Sequence, residues 1–251
     1  MLPIIVSIPH GGTQQPAELA GRVCLSDEAL FHDSDAFTRE IYDVGSEVVQ
    51  VVTTDIARAF VDLNRAPDDR APANPDGVIK STTVFGHPIY YKGMEPEHHL
   101  VTRLLERYYH PYHKTLELAV AGPRAKLALD CHSMLPEAPP IASAPGERRP
   151  LFCLSNAGGL TCPNDLLEGV QRAFADAFDC RLTEVLLNEP FKGGYITRVH
   201  GRGPVPWVQV EMNRSLYLKA PWFQPENLEV EPERLQRLRD GFRGALNALR
   251  L

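Results

Sequence analysis

The sequence predicts an α/β fold built on a mixed, largely parallel sheet with helices on both faces. Three observations predict it. Apolar strand-like runs recur along the chain. Helical patterns separate them. Several runs are continuous instead of alternating, as strands covered on both faces are.

The first run, 3–9, reads PIIVSIP and stops at His10-Gly11-Gly12. A helical pattern over 35–44 leads to a second run at 48–54. The stretch 65–77 is rich in Pro, Asp and Ala and reads as a loop. A long helix is predicted over 97–120, with Pro111 kinking or splitting it, because proline removes an N–H and crowds the preceding turn. The third run, 127–130, ends in Asp130-Cys131-His132-Ser133. Residues 135–150, LPEAPPIASAPGERRP, read as a loop inside the domain, since strand runs continue on both sides. A strand at 151–154 and a helix over 163–178 follow, the helix opening on a proline suited to a first turn. Strands are predicted at 181–187 and 207–212. The last helix, 232–249, carries Leu235, Leu238, Phe242, Leu246 and Leu249 at helical spacing. No internal repeat divides the chain, so 1–251 reads as one domain.

Composition narrows the function. With 26 Lys and Arg against 32 Asp and Glu, the net charge is −6, which offers no basic footprint for nucleic acid or an anionic membrane. The apolar N-terminal stretch is too short to span a bilayer and lacks a basic leader and a small-residue cleavage site. Five cysteines without framework spacing fit reduced thiols, and the expectation is a cytoplasmic protein. Cys131 is adjacent to His132, but neighbours on a strand face opposite ways, which argues against a catalytic thiol there.

Three strand runs end alike, in His10, in Asp130 and His132, and in Glu211. Ligands of open α/β sheets bind outside the carboxyl ends of the strands, so these tips are candidates for one crevice. Two imidazoles and one carboxylate with an open fourth position make a hydrolytic zinc site. His10 and His132 supply the imidazoles, and Asp33 or Asp35 offers the carboxylate. Asp130, two residues before His132 on the same strand face, suits a carboxylate that orients the imidazole. Taken singly, each residue has a plainer reading: a hydrogen-bonded strand-end histidine, a helix N-cap for either aspartate, a loop carboxylate for Glu211. The coincidence of three tips carries the metal reading.

A cationic group accompanies them. RAFVDLNRAPDD brings Arg58, Asp62, Asn64 and Arg65 together, with Asp62 and Asn64 on one face of an extended run. FKGGYITRVHGRG adds Lys192, Gly193-Gly194, Thr197 and Arg198, and Arg214 follows Glu211. Arginine grips carboxylates with a planar fork, although surface ion pairing is its commoner fate. His113 lies among aromatics and reads as a core histidine, His98 and His99 as a solvated helix start, His87 and His200 as loop residues. The absence of GxGxxG, P-loop, CxxC-pair and GxSxG patterns argues against nucleotide cofactors, structural zinc and a serine nucleophile elbow.

The segments SIPHGG, HDSDAFTREIYD, ARAFVDLNRAP, YYHPYHKTLE, LALDCHSM, NEPFKGGYITRVHG and VQVEMNRSLY, in order from residue 7 to 217, resemble the N-formylglutamate amidohydrolase family. That family is similar, more distantly, to zinc carboxypeptidases and aspartoacylases. The resemblance implies a three-layer carboxypeptidase-like fold. It also implies a zinc or other divalent metal site with His10 as first ligand and His132 as last. The carboxypeptidases take their middle ligand three residues after the first histidine, where this chain has Thr13, so the carboxylate comes from elsewhere: Asp35 by preference, Asp33 as runner-up. Glu211 corresponds to the catalytic glutamate, and Asn64-Arg65 to the pair that holds a substrate carboxylate.

The implied reaction is hydrolysis of N-formyl-L-glutamate, a small acidic N-acyl amino acid, to formate and glutamate in histidine breakdown. Glu211 is the expected base and Arg198 or Arg58 the oxyanion partner, with Asn64, Arg65 and Arg214 on the substrate carboxylates and Lys192 in the same cationic group. Two other readings share these residues: a hydrolase of a different N-acyl amino acid or peptide-like amide, and a non-enzymatic carboxylate-binding relative. A complete ligand set beside Glu211 argues against the second.

Overall fold

The computed structural model describes residues 1–140, 142 and 144–251. Its centre is a six-stranded sheet of β1 (Leu2–Ile8), β2 (Val48–Thr53), β3 (Leu127–Met134), β4 (Phe152–Ser155), β5 (Val185–Leu187) and β6 (Trp207–Asn213), in the order β2-β1-β3-β6-β4-β5. Strands β2, β1, β3 and β6 run parallel, β4 turns antiparallel against β6, and β5 runs parallel to β4. The sheet is therefore mixed and largely parallel, as the continuous apolar runs predict. β3 is buried along all of its length. The antiparallel pair β7 (Phe223–Gln224) and β8 (Glu229–Val230) forms a separate small sheet.

Helices cover both faces. Alternate strand residues Val6, Leu129, Cys131, Val208 and Val210 join one core beneath α2 (Thr38–Tyr42), α5 (Asn164–Ala177) and α7 (Pro232–Ala248). The other face, with Ile5, Ala128 and Trp207, packs under α3 (His98–Leu104), α4 (His110–Ala121) and α6 (Tyr195–His200). Period-two alternation sends Cys131 into the first core and His132 to the opposite side. Burial also pushes the Cys131 thiol well above its usual range, so it is no nucleophile.

Several boundaries differ from the sequence-based ones, each for a physical reason. β3 runs on to Met134, four residues past the predicted end, because its polar tip is paired with β6 and buried instead of passing into a wet loop. The helix predicted over 35–44 is only Thr38–Tyr42. An unanticipated α1, Asp27–Asp33, precedes it, capped where the Ser26 side chain accepts from the Ala29 N–H. Neither Asp33 nor Asp35 is an N-cap, since Asp33 ends α1. The helix predicted over 97–120 is α3 and α4 joined without a break by one π-helical turn, Leu105–Tyr109, two residues before Pro111. A wider turn tolerates the N–H that proline lacks, so the helical run is not split there. The segment predicted as strand over 181–187 begins with a 3-10 turn, Leu182–Glu184, before β5. His200, expected in a loop, is the buried end of α6. No helix among the described residues is long and apolar enough to cross a membrane.

Candidate active site

The carboxyl ends of β1, β3 and β6 converge. His10 follows β1, and its backbone carbonyl accepts from the Asp35 N–H at 3.3 Å, which ties the turn after α1 to the strand tip. His132 and Glu211 are register partners on β3 and β6, so their side chains share a face. One row back lie Asp130 and Gln209, also register partners, with Ser7 of β1 beside Asp130. This face is the one that places Asp130 and His132 two residues apart on the same side of a strand.

His10, Asp35 and His132 form a compact donor set. His10 Nδ1 is 3.3 Å and His132 Nδ1 is 3.1 Å from Asp35 Oδ2, and the two Nδ1 atoms are 3.1 Å apart. Ligand atoms bound ~2.0–2.1 Å from a tetrahedral zinc lie about 3.3 Å from one another. The spacing and the chemistry of the set therefore fit one divalent ion, and no other such group occurs among the described residues. The outward nitrogens are held as metal-binding histidines commonly are. His10 Nε2 is 2.7 Å from Asp62 Oδ1, and His132 Nε2 is 3.3 Å from both Asp130 Oδ1 and Asn64 Nδ2. Asp130 in turn accepts from the hydroxyls of Ser7, at 3.1 Å, and Thr197, at 3.0 Å.

The electrostatics follow from these contacts. Burial disfavours charge on Asp35, but His10, His132 and Arg58 outweigh it and hold its carboxyl well below the ordinary range. Asp62 is likewise held down against burial by His10 and Arg58. Burial lowers the His132 pKa and Asp130 raises it; Asp130 prevails. Glu211 goes the other way: burial, reinforced by the charge of Asp35, pushes its carboxyl up to about 7 against the pull of His132. Gln209 Nε2 donates to Glu211 Oε1 at 2.8 Å, and Gln209 Oε1 accepts from the Gly194 N–H. Gly194 is glycine for steric reasons: a Cβ there would overlap the Asn64 amide.

His10, Asp35, Asn64, His132, Gln209 and Glu211 line a cleft of about 400 Å³. A larger cavity of about 660 Å³ around Leu25, Phe85 and Pro88 shares His32 with it but has no comparable donor set among the described residues.

The residues named from sequence separate into groups. His10, Asp35, His132 and Glu211 meet in the cleft, and Arg58, Asn64, Arg65, Lys192 and Arg214 line it. Asp33 is removed as a ligand by a buried ion pair: Lys80 Nζ lies 3.0 and 2.9 Å from its two oxygens, and the Val84 N–H donates to it at 3.0 Å. Arg198 is exposed and does not line the cleft; α6 turns Thr197 inward and the next side chain outward. Arg214 is not a free clamp, because its guanidinium is spent on Ser133 Oγ, the His32 carbonyl and Asp35 Oδ1. Arg65 is held by Asp76 Oδ2 at 2.7 Å, and Asn64 by the Ile196 N–H as well as His132. Sequence reasoning missed Asp62 as the partner of His10, and missed Gln209 and Arg149 altogether. Gln209 was legible, being two residues before Glu211 on the same face. Arg149 sits at the end of a proline-rich loop where no periodicity marks it.

An open α/β sheet with this cluster at its strand tips sets a candidate hydrolytic site where such folds bind their ligands. Residues 2–218 match the family described as N-formylglutamate amidohydrolase. The chain belongs to the N-formylglutamate amidohydrolase family. It is 31% identical over 229 residues to the N-formylglutamate deformylase of Pseudomonas putida, covering 87% of this chain and 82% of the relative. It is 30% identical to that of Pseudomonas aeruginosa, covering 86% and 82%. A crystal structure of N-formylglutamate amidohydrolase from Ralstonia eutropha JMP134 superposes with a TM-score of 0.79 at 25% identity, covering 98% of this chain and 92% of that one. A gene product of Agrobacterium tumefaciens, at 15% identity and a TM-score of 0.66, shares the fold over 98% of this chain and 90% of its own.

Proposed function

We propose that this protein hydrolyses the formyl amide of N-formyl-L-glutamate, yielding formate and L-glutamate, with one divalent metal held by His10, Asp35 and His132. The observation that carries the reading is the donor set beside Glu211: three ligand atoms at tetrahedral spacing, with a buried carboxyl poised near neutrality on the neighbouring strand. Family membership and the names of the Pseudomonas relatives support the substrate. Two nitrogens and one carboxylate oxygen suit zinc. When bound, such an ion supplies Lewis acidity, polarising the amide carbonyl and easing ionisation of water.

The protein groups do the rest. Glu211 takes the proton of the attacking water and returns it to the amide nitrogen as the C–N bond breaks, so that formate and a free amine leave. Burial raises the Glu211 carboxyl from the ordinary carboxylate range, in the direction a group needs to both accept and return that proton. Gln209 fixes the orientation of Glu211 through Oε1. Arg58 faces the developing oxyanion; its Nη2 is anchored by Asp62 at 2.9 Å, and its buried Nε has no partner among the described residues. Asp62 and Asp130 hold the imidazoles. We take residues 1–251 as one catalytic unit acting in the cytoplasm in histidine breakdown; the free cysteines suit a reducing compartment.

The test is metal analysis of the purified protein together with formate release from N-formyl-L-glutamate. The expected result is about one divalent ion per chain and chelator-sensitive formate release. A metal-free protein that releases formate at full rate would overturn the metal reading. A metal-loaded protein inert on this substrate but active on another N-acyl amino acid would overturn the choice of substrate.

A further inference from the structure

The cations that line the cleft are Arg58, Arg65, Arg149, Lys192 and Arg214. The chain's own carboxylates neutralise three of them: Arg58 through Asp62 at 2.9 Å, Arg65 through Asp76 at 2.7 Å and Arg214 through Asp35 at 3.1 Å. Among the described residues, Arg149 and Lys192 have no carboxylate partner. Lys192 is exposed, whereas the Nε of Arg149 is buried and has no hydrogen-bond partner there. The guanidinium lies over the ring of Phe191, 4.9 Å from its centroid, and Phe191 lines the same cleft.

Arg149 is also firmly mounted. Its N–H donates to the Pro136 carbonyl at 2.9 Å, and Asn213 Nδ2 donates to the carbonyls of Arg149 and Pro150 at 3.2 and 2.9 Å. Asn213 ends β6, two residues beyond Glu211, so the strand that carries the base also carries the mount for this arginine. Burial lowers the Arg149 pKa, and the Glu211 charge acts in the opposite direction, which marks the two groups as electrostatic neighbours.

A partly desolvated guanidinium without an anion is unfavourable, and a planar fork backed by an aromatic ring is suited to a carboxylate. We infer that Arg149, with Lys192 beside it, is the cation that binds a carboxylate of the substrate and sets the preference of the cleft for acidic N-acyl amino acids. The inference rests on the amide-hydrolysis reading above but moves carboxylate recognition from Arg65 and Arg214, whose charges are already matched. Arg149 binds and orients; it takes no part in proton transfer.

The experiment compares wild type, Arg149→Met and Arg149→Lys on N-formyl-L-glutamate and its two monoamides, N-formyl-L-glutamine and N-formyl-L-isoglutamine. Metal content and Tm are measured on each protein. The expected result for Arg149→Met is metal retained, kcat within a few-fold of wild type and KM for N-formyl-L-glutamate raised roughly 30-fold or more, the span for losing one side of a buried charge pair. One monoamide, the one that lacks the carboxylate Arg149 binds, should show little KM change. Arg149→Lys should fall between, since it keeps the charge and loses the fork. An unchanged KM, or an equal penalty on all three substrates, overturns the inference. If wild type hydrolyses none of them, the functional reading fails and titration with glutarate decides the residue separately. Binding weakened about 30-fold in Arg149→Met upholds the carboxylate site, and equal affinity rejects it.

Discussion

Glu211 and Asp35 are both buried carboxyls in one cleft, yet their surroundings drive them apart. Asp35 touches both histidines and Arg214 and stays ionised, whereas burial raises the Glu211 carboxyl to about 7 and, among the described residues, only Gln209 donates to it. On the proposed reading, that division suits one to holding a cation and the other to moving a proton. Glu211→Gln keeps the shape and removes the proton acceptor. It should retain its metal, bind substrate and lose kcat by roughly 10²–10⁴-fold, read by steady-state kinetics beside metal analysis. A metal-loaded variant with near-normal kcat would take Glu211 out of the mechanism. Asp35 and Asp33 separate equally cleanly. Asp35→Ala should lose the metal. Asp33→Ala should keep it and lose stability instead, because removing one member of a buried ion pair costs about 3 kcal/mol. Chemical denaturation and metal content, measured on both variants, distinguish the two outcomes.

At the scale of elements, α6 and the turn before it connect the site to the sheet. Gly194 approaches Asn64, the Ile196 N–H holds Asn64 Oδ1, and Thr197 holds Asp130. Gly194→Ala should therefore push Asn64 off His132, lowering metal affinity and kcat together with a modest change in Tm; unchanged metal affinity would show the contact to be dispensable. On the other side of α6, His200 Nε2 lies 2.9 Å from His113 Nδ1 of α4, and His113 Nε2 lies 3.0 Å from the Leu63 carbonyl. Burial, reinforced by His200, lowers the His113 pKa from 6.5 to about 4. The sign of the stability effect follows from proton counting. Above the ordinary value both folded and unfolded chains are neutral here. As pH falls towards about 4 the unfolded chain takes up a proton that the folded one refuses, so stability drops across that window by an amount on the order of 3 kcal/mol. His113→Gln should flatten this part of the profile, measured as the difference in urea-unfolding free energy between about pH 7.5 and about pH 5. A variant with the same pH slope as wild type would place the titration elsewhere.

For the molecule as a whole, the metal is expected to link binding to stability. Ligand groups come from the tip of β1, the turn after α1 and β3, so an ion that binds only the folded chain clamps segments distant in sequence. At a hundredfold excess over Kd that linkage contributes about 2.7 kcal/mol, several degrees in Tm for a chain of this size. Chelation should lower Tm by that amount and abolish formate release, and zinc should restore both; calorimetry with and without chelator checks it. Much of this architecture was legible in the sequence. Strand and helix periods are local, so the sheet, the buried face of β3 and the tips bearing His10, His132 and Glu211 could be read directly from residue order. The match of Asp130 to His132 needed only a period of two. What residue order does not contain is which charge meets which. Asp33 and Asp35 are chemically identical and flank one serine; Lys80, forty-seven residues away, takes the first and leaves the second to the histidines. Arg65 and Arg214 look like substrate clamps until Asp76 and Asp35 neutralise them, and Arg149 has no pattern to mark it until Phe191 and Asn213 hold it at the cleft. Sequence alone determined the sheet, its faces and the residue types at the strand tips, because backbone periodicity and apolar burial act over neighbouring residues. Tertiary structure alone decided which carboxylate meets the two histidines and which cations are left without a carboxylate partner among the described residues, because charge pairing in a buried site is set by whichever partners folding brings within about 3 Å.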